Sequence, residues 1–173
     1  QFGLGNGRHC YPLTIADAHS RYLLVCKGLR STSLKPARRV FEAAFREYGL
    51  PEVIHTDNGV PFCAPGALLG LSSLSVWFLK LGIRLQRSRP GHPQDNGAHE
   101  RMHRTLKAEA ARPARRTEAA QQRALNAFRK TYNEKRPHHA LQLVHVSNNG
   151  IKGPSRNPDI EAIGPSIGLL IRF

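Results

Sequence analysis

Residues 88–109, SRPGHPQDNGAHERMHRTLKAE, mark the place where the strand-like pattern of the chain gives way to a helical one. Pro90 and Gly91 close the preceding strand, and Asp95 or Asn96 can cap the helix. From Ala98 the pattern is helical. This order of strand, turn and helix predicts an α/β fold rather than a helical bundle.

A single acid, Glu100, lies near the start of this otherwise basic helix. At helical spacing Glu100 shares one face with His103, Arg104 and Lys107. A carboxylate beside cations suits a divalent metal ion held next to a phosphate backbone. A solvated helix face with a Glu100–Arg104 ion pair explains the same spacing.

The rest of the sequence predicts a mixed sheet flanked by helices. The predicted order is strand 11–15, strand 21–26, a helix ended by Gly49, strand 53–56, helix 71–81, a strand from Ile83, the helix from Ala98 and a helix over 115–132. Hairpin strands followed by strand–helix alternation are typical of such a sheet. The Gly-, Pro-, Ser- and Asn-rich stretch from residue 147 predicts loop or weakly ordered structure.

A second acid, Asp57, directly follows the apolar strand 53–56. Functional groups of open α/β sheets gather beyond the carboxyl ends of strands, so Asp57 and Glu100 are expected to meet at one edge. Paired carboxylates there can hold Mg²⁺ or Mn²⁺. Each acid also has an ordinary explanation, because Asp-Asn-Gly is a common turn and a first-turn acid favours the helix dipole.

The charge of the chain favours a polyanionic partner. The 173 residues carry a formal net charge of +14, which points to nucleic acid ahead of an anionic membrane surface. Residues 101–136 alone hold eleven Lys or Arg against three acids. No stretch approaches the 18 apolar residues of a membrane-spanning helix. Three isolated cysteines, Cys10, Cys26 and Cys63, favour reduced thiols in a cytosolic protein.

Residues 99–103, His-Glu-Arg-Met-His, also match the helical zinc-hydrolase motif by letter. His99 and His103 would bind zinc, with Glu100 as general base. The hydrophilic surroundings count against this alternative. So does the lack of a third ligand other than Glu118, which lies in a very basic stretch.

Four stretches together resemble the integrase catalytic core shared by retroviral integrases and bacterial insertion-sequence transposases. They are LTIADAHSRYLL (13–24), VIHTDNGVPF (53–62), RSRPGHPQDNGAHERMHRTLKAE (87–109) and TYNEKRPHHAL (131–141). The resemblance, closest to the transposases, covers about residues 1–141 and leaves 142–173 as an atypical tail. It implies a ribonuclease-H-like fold, with a five-stranded mixed sheet flanked by helices and the first strand missing or truncated in this chain.

The resemblance also implies an Asp, Asp, Glu triad that binds two Mg²⁺ or Mn²⁺ ions. By motif, Asp57 is the second member and Glu100 the third, and the first would lie just upstream of Gln1. Asp17 matches a turn between strands and is interpreted as structural. Since the chain starts at Gln1 and its only methionine is Met102, we expect it to be a piece of a longer protein.

The function implied is metal-dependent cleavage and strand transfer during transposition, on element ends and target DNA, by a protein of the bacterial cytoplasm and nucleoid. His99, His103, Arg104, Lys107 and Arg136 are the expected DNA contacts. A homo-oligomer is expected, and no membrane. Without the first aspartate, this chain is expected to bind DNA and to catalyse poorly. A non-catalytic basic DNA-binding module is the alternative from another class.

Overall fold

The computed structural model describes residues 1–56, 61–64, 66–88, 97–135 and 167–173. Six strands and four helices follow one another along them. The strands are β1 (Phe2–Gly3), β2 (His9–Asp17), β3 (Leu23–Leu29), β4 (Val53–Thr56), β5 (Arg84–Arg87) and β6 (Ile167–Arg172). The helices are α1 (Leu34–Tyr48), α2 (Ser73–Lys80), α3 (Gly97–Ala110) and α4 (Glu118–Lys135).

Local sequence signals place the ends of α1 and α2. Ser33 is the N-cap residue of α1, and the left-handed Gly49 (φ 89°) ends this helix with its N–H bonded to the Phe45 carbonyl. At α2 the Ser72 hydroxyl accepts a hydrogen bond from the Ser75 N–H. Both helices therefore form where capping residues flank an apolar stretch, within two residues of the predicted bounds.

The strands form one open mixed sheet. Its order is β1-β2-β6-β4-β5, and β3 also pairs with β2. β2 and β3 are antiparallel, β4 and β5 are parallel, and β6 runs parallel to β2 and antiparallel to β4. The ribonuclease-H-like, mixed sheet flanked by helices is confirmed, with six strands among the described residues where five were expected.

β6 corrects the sequence-based expectation for the end of the chain. Residues 167–172, predicted as loop or weakly ordered, form a strand inside the sheet. β6 pairs with β2 from Leu13 to Asp17 and with β4 from Val53 to Thr56. It therefore belongs to the same sheet as residues 1–135 and is not part of a separate tail. Residues 142–166 lie outside the described residues.

Two apolar clusters cover the two faces of the sheet. One contains Leu13, Ile15, Ile54, Leu169 and Ile171, packed against α1 and α2. The other joins the opposite face to α3 and α4; its members include Cys10, Leu23, Cys26, Met102, Leu106, Leu125, Phe128 and Leu170. Alternation along the strands sends successive side chains to opposite faces, so β6 contributes to both cores.

Asp17 closes the turn between β2 and β3. Its carboxylate accepts hydrogen bonds from the Ser20 backbone N–H (2.7 Å) and hydroxyl (2.6 Å). This is the structural role interpreted from the sequence. Within the described part of the chain, no helix combines the length and the apolar character needed to cross a bilayer.

We expect replacement of Leu169 by alanine to lower the free energy of unfolding by about 3 kcal/mol, because this fully buried side chain leaves a cavity at the centre of the sheet. Leu79→Ala on α2 is the matched control, since Leu79 is 46% exposed and the same change there should cost less than about 0.5 kcal/mol. Urea denaturation measures both. Equal losses would contradict the central position of β6.

Candidate functional site

The carboxyl ends of β4 and β5 lie side by side. The two strands are parallel, and the Ser88 N–H that follows β5 donates to the carbonyl of Thr56, the last residue of β4 (3.1 Å). The Ser88 hydroxyl also lies 3.2 Å from Nε2 of His55. Asp57 follows Thr56 in the sequence and falls outside the described residues, as does Arg136. Their roles stay predictions.

Glu100 lies in the first turn of α3, the helix that follows β5. Its side chain is half-buried, and its buried Oε2 atom has no hydrogen-bond partner among the residues that the structure describes. Burial raises the pKa of this carboxyl, and the charge of Arg104, one helical turn on, partly offsets the rise. A carboxylate oxygen with no protein donor fits a hard divalent cation, which prefers oxygen ligands.

His99 and His103 point into the protein. They are 4% and 1% exposed, and their Nε2 atoms lie 2.8 Å apart. Both converge on the hydroxyl of Thr14 in β2, at 2.8 Å from His103 and 3.3 Å from His99. The expected DNA contacts through these two histidines conflict with this burial, because neither ring reaches the surface. His103 is therefore also absent from the charged face predicted for α3.

Burial keeps both imidazoles neutral. Desolvation lowers the pKa of His103 to about 3, and the charges of Lys107 and the chain's amino terminus act in the same direction. Desolvation lowers the pKa of His99 as well, followed by the effects of His103, His55 and Arg21.

The other side chains of α3 divide between the core and the solvent. Met102 and Leu106 are 3% and 0% exposed and face the core. Arg104 is exposed and Lys107 is half-buried, on the side that reaches solvent. The two cations therefore remain available to phosphate groups.

The zinc-hydrolase alternative gains no support from this geometry. The described part of the chain contains no group of three His, Cys, Asp or Glu side chains that could hold a metal ion. Zinc-binding histidines also normally donate the N–H of their second ring nitrogen to an acceptor. Nδ1 of His99 and Nδ1 of His103 are buried without a partner.

β6 brings no acid to this region. Thr56 pairs with Leu169, and Leu169 pairs on its other side with Ile15, so β4 ends level with the Thr14–Ile15 segment of β2. Residues 167–172 contain no Asp or Glu. Asp17 pairs with Ile171, which pairs with Ile54, so this aspartate lies toward the other end of β4. Among the described residues, Glu100 is the acid at this edge.

Sequence reasoning missed Thr14 and His55 as members of this region. Thr14 lies in an apolar strand and is fully buried, and no local signal connects it with residues 85 and 89 positions away. His55 was treated only as a strand residue. Its position two residues before Asp57, in a strand whose other side chains are apolar or small, is the signal that was available.

Two family models, both described as integrase core domain, match the chain, one over residues 2–93 and the other over residues 81–144. An uncharacterized 31.7 kDa protein of insertion element IS407 from Burkholderia multivorans is 28% identical over 145 residues, which are 83% of this chain and 50% of that protein.

Retroviral relatives match a shorter part. The Pol polyprotein of feline endogenous virus ECE1 is 32% identical over 98 residues, 56% of this chain and 9% of the polyprotein. The Gag-Pol polyprotein of feline leukemia virus is 32% identical over 97 residues, 56% of this chain and 5% of that protein. The chain thus spans half or less of the length of these relatives.

The neutral histidines predict a loss of stability in mild acid. Unfolded histidine binds a proton near pH 6.5 and folded His103 only near pH 3, so between these values the unfolded state holds more protons and the free energy of unfolding falls as the pH falls. We expect His103 to account for about 2 kcal/mol of loss between pH 7 and pH 5. His103→Gln removes this titration, and urea denaturation at both pH values measures the difference. An unchanged pH dependence in the variant would refute the assignment.

Proposed function

Because the chain belongs to the integrase core domain family, we propose that it is the catalytic core of a transposase that cleaves DNA at an element's end and joins the freed 3′ end to target DNA. The chain covers half of its insertion-element relative, so the complete reaction is proposed for a protein that contains this core. A multimer that brings two DNA ends together is part of this proposal, as is action on the bacterial nucleoid.

The observation that carries the proposal is the position of the first turn of α3 at the level of the sheet where β4 ends. His99 lies 3.3 Å from the hydroxyl of Thr14, whose neighbour Ile15 is level with Thr56 through their common β6 partner Leu169. Glu100 occupies this same turn and has one buried oxygen without a partner. A partly desolvated carboxylate at the carboxyl edge of a parallel strand pair supports a metal-binding role for Glu100, with Asp57 as the second ligand.

Mg²⁺ or Mn²⁺ ions bound here would activate the attacking oxygen of water or of a 3′-hydroxyl and stabilise the oxygen that leaves the phosphodiester. Asp57 and Glu100 would supply oxygen ligands, and neither forms a covalent intermediate with DNA. The buried face of α3 keeps the Glu100 carboxylate partly desolvated, which strengthens its interaction with a cation.

Arg104 and Lys107 would bind the phosphate backbone beside Glu100. Arg104 lies one turn beyond this carboxylate and is exposed, and Lys107 lies two turns beyond it. Cations in these positions hold a phosphodiester near the metal ligands without reading its bases. Arg136 is a further proposed contact.

Asp57 and Glu100 are two of the three carboxylates that the family resemblance implies, and by themselves they should bind divalent ions weakly and support little catalysis. β6, the strand that lies between β2 and β4, carries no acid that could replace the third. The same observation favours the second candidate function, a DNA-binding module without catalysis. The two candidate functions differ in their need for Glu100. The catalytic core requires its carboxylate for strand transfer, whereas the DNA-binding module does not require it for binding.

We expect Glu100→Gln to weaken Mn²⁺ binding by about tenfold or more, because the amide keeps the size of the side chain and removes its charge. Glu109→Gln, on the same helix and exposed, is the matched control and should leave Mn²⁺ affinity unchanged. Paramagnetic broadening of NMR signals measures the binding. In a protein extended upstream of Gln1, Glu100→Gln should abolish strand transfer and preserve DNA binding; intact strand transfer would exclude the catalytic role.

We expect the Arg104→Ala and Lys107→Ala double variant to bind a random-sequence DNA duplex about tenfold more weakly at low salt, with a salt dependence smaller by about two ions. Arg84→Ala with Arg172→Ala is the matched control. It removes the same charge from exposed side chains near Glu52, at the opposite end of β4. Fluorescence anisotropy measures both, and equal losses would mean that charge alone, rather than this edge, determines binding.

A further inference from the structure

The Thr14 hydroxyl and the two histidines of α3 form a polar cluster buried between β2 and the helix, which we call the Thr14 clamp. Its three heavy-atom distances are 2.8 Å between the histidine Nε2 atoms, 2.8 Å from His103 to Thr14 and 3.3 Å from His99 to Thr14. We propose that Thr14 is a positioning residue that acts through His99 and His103 to hold the Glu100 carboxylate in its half-buried place.

The first turn of α3 depends on this clamp for its attachment to the sheet. The inner face of α3 carries the apolar side chains Met102, Leu106 and Ala110, which begin in the second turn. In the first turn, the described side chain that reaches the interior is that of His99. Glu100 lies between the two histidines in sequence. The direction of its side chain therefore follows the orientation that the clamp gives to residues 99–103.

The Thr14 hydroxyl lies within hydrogen-bonding distance of both imidazole rings and so restricts their arrangement. Each neutral imidazole carries one proton, and two Nε2–H groups facing each other at this distance would repel, so at least one ring holds its proton on Nδ1. Both Nδ1 atoms are buried without a partner, so this arrangement leaves a polar group unsatisfied. Two apolar side chains would pack at lower cost, but they would not fix the rotation of the helix against one strand residue.

The clamp acts on Glu100 through burial. One oxygen of the Glu100 carboxylate is enclosed, and no described residue donates a hydrogen bond to it. If the first turn moved away from β2, water would reach this oxygen and the carboxyl would titrate like an ordinary glutamate. The clamp thus sets how much of the carboxylate is desolvated.

The experiment compares the wild-type chain with Thr14→Val, which keeps the shape of a β-branched strand residue and removes the hydroxyl, and with Thr14→Ser, which retains the hydroxyl. The Glu100 carboxyl is titrated by ¹³C NMR in the absence of metal ions, and amide hydrogen exchange is followed along α3. Ser75→Ala is the matched control, because Ser75 is a buried hydroxyl on the other face of the sheet that donates to the Phe62 carbonyl (2.6 Å).

We expect Thr14→Val to lower the Glu100 pKa by about half a unit or more. Exchange should become about tenfold faster at residues 97–103, with little change at residues 106–110. Thr14→Ser should restore both values, and Ser75→Ala should leave both unchanged. Should Thr14→Val prevent folding, His103→Leu, which removes the polar partner of Thr14 and fills a similar volume, provides the same test.

Three results would overturn the proposal. One is an unchanged Glu100 pKa and unchanged exchange in Thr14→Val, which would make the clamp irrelevant to the carboxylate. Another is an equal effect of Ser75→Ala, which would make the response one of general stability. The third is zinc bound at about one ion per chain and lost in Thr14→Val, which would make the cluster a metal site. The inference rests on the proposed function only for the role of Glu100 as a metal ligand. If Mn²⁺ or DNA binding failed, the titration of Glu100 would still test whether the clamp positions this side chain.

Discussion

The pairing of β6 with both β2 and β4 is the constraint on which the rest of the structure depends. β6 places Leu169 and Ile171 against one helical layer and Leu170 against the other, and all three are at least nine-tenths buried. Its register also makes the end of β4 level with Ile15 of β2, the neighbour of Thr14. β6, formed by residues 167–172, is thus required for three features. These are the edge of the sheet that carries the site, the packing of α3 on the sheet and the two apolar cores.

Much of the fold could be predicted from local sequence. Val53–Thr56 was predicted with the bounds that the structure has, because apolar residues there are flanked by turn formers on both sides. β6 was missed for a physical reason. Its surroundings are rich in Gly, Pro, Ser and Asn, and its stability comes from pairing with residues about 110 and 150 positions away, which no local pattern reveals.

The site was predictable to a similar extent. The helix spacing predicted one face with Glu100, Arg104 and Lys107; Arg104 is exposed there, and the other two side chains are half-buried. It failed for His103, and His99, an expected DNA contact, is buried as well, because imidazole suits metal, phosphate and core positions equally well. The two histidines are buried against the Thr14 hydroxyl, and the sequence alone does not show which residue of a distant strand the helix contacts. In a chain of net charge +14, these two rings stay neutral because they are buried and lie near further positive charge.

α4 covers the outer edge of β3 with side chains rather than with another strand. Gln122 binds the Gly28 N–H and the Cys26 carbonyl, Asn133 binds the N–H and carbonyl of Leu23, and Arg129 donates to the Leu24 carbonyl. Backbone groups engaged in this way cannot recruit a strand from another molecule. Among the described strands, the edges left for strand addition are therefore β5 and the two-residue β1, and the edge of β3 is protected against aggregation through edge pairing.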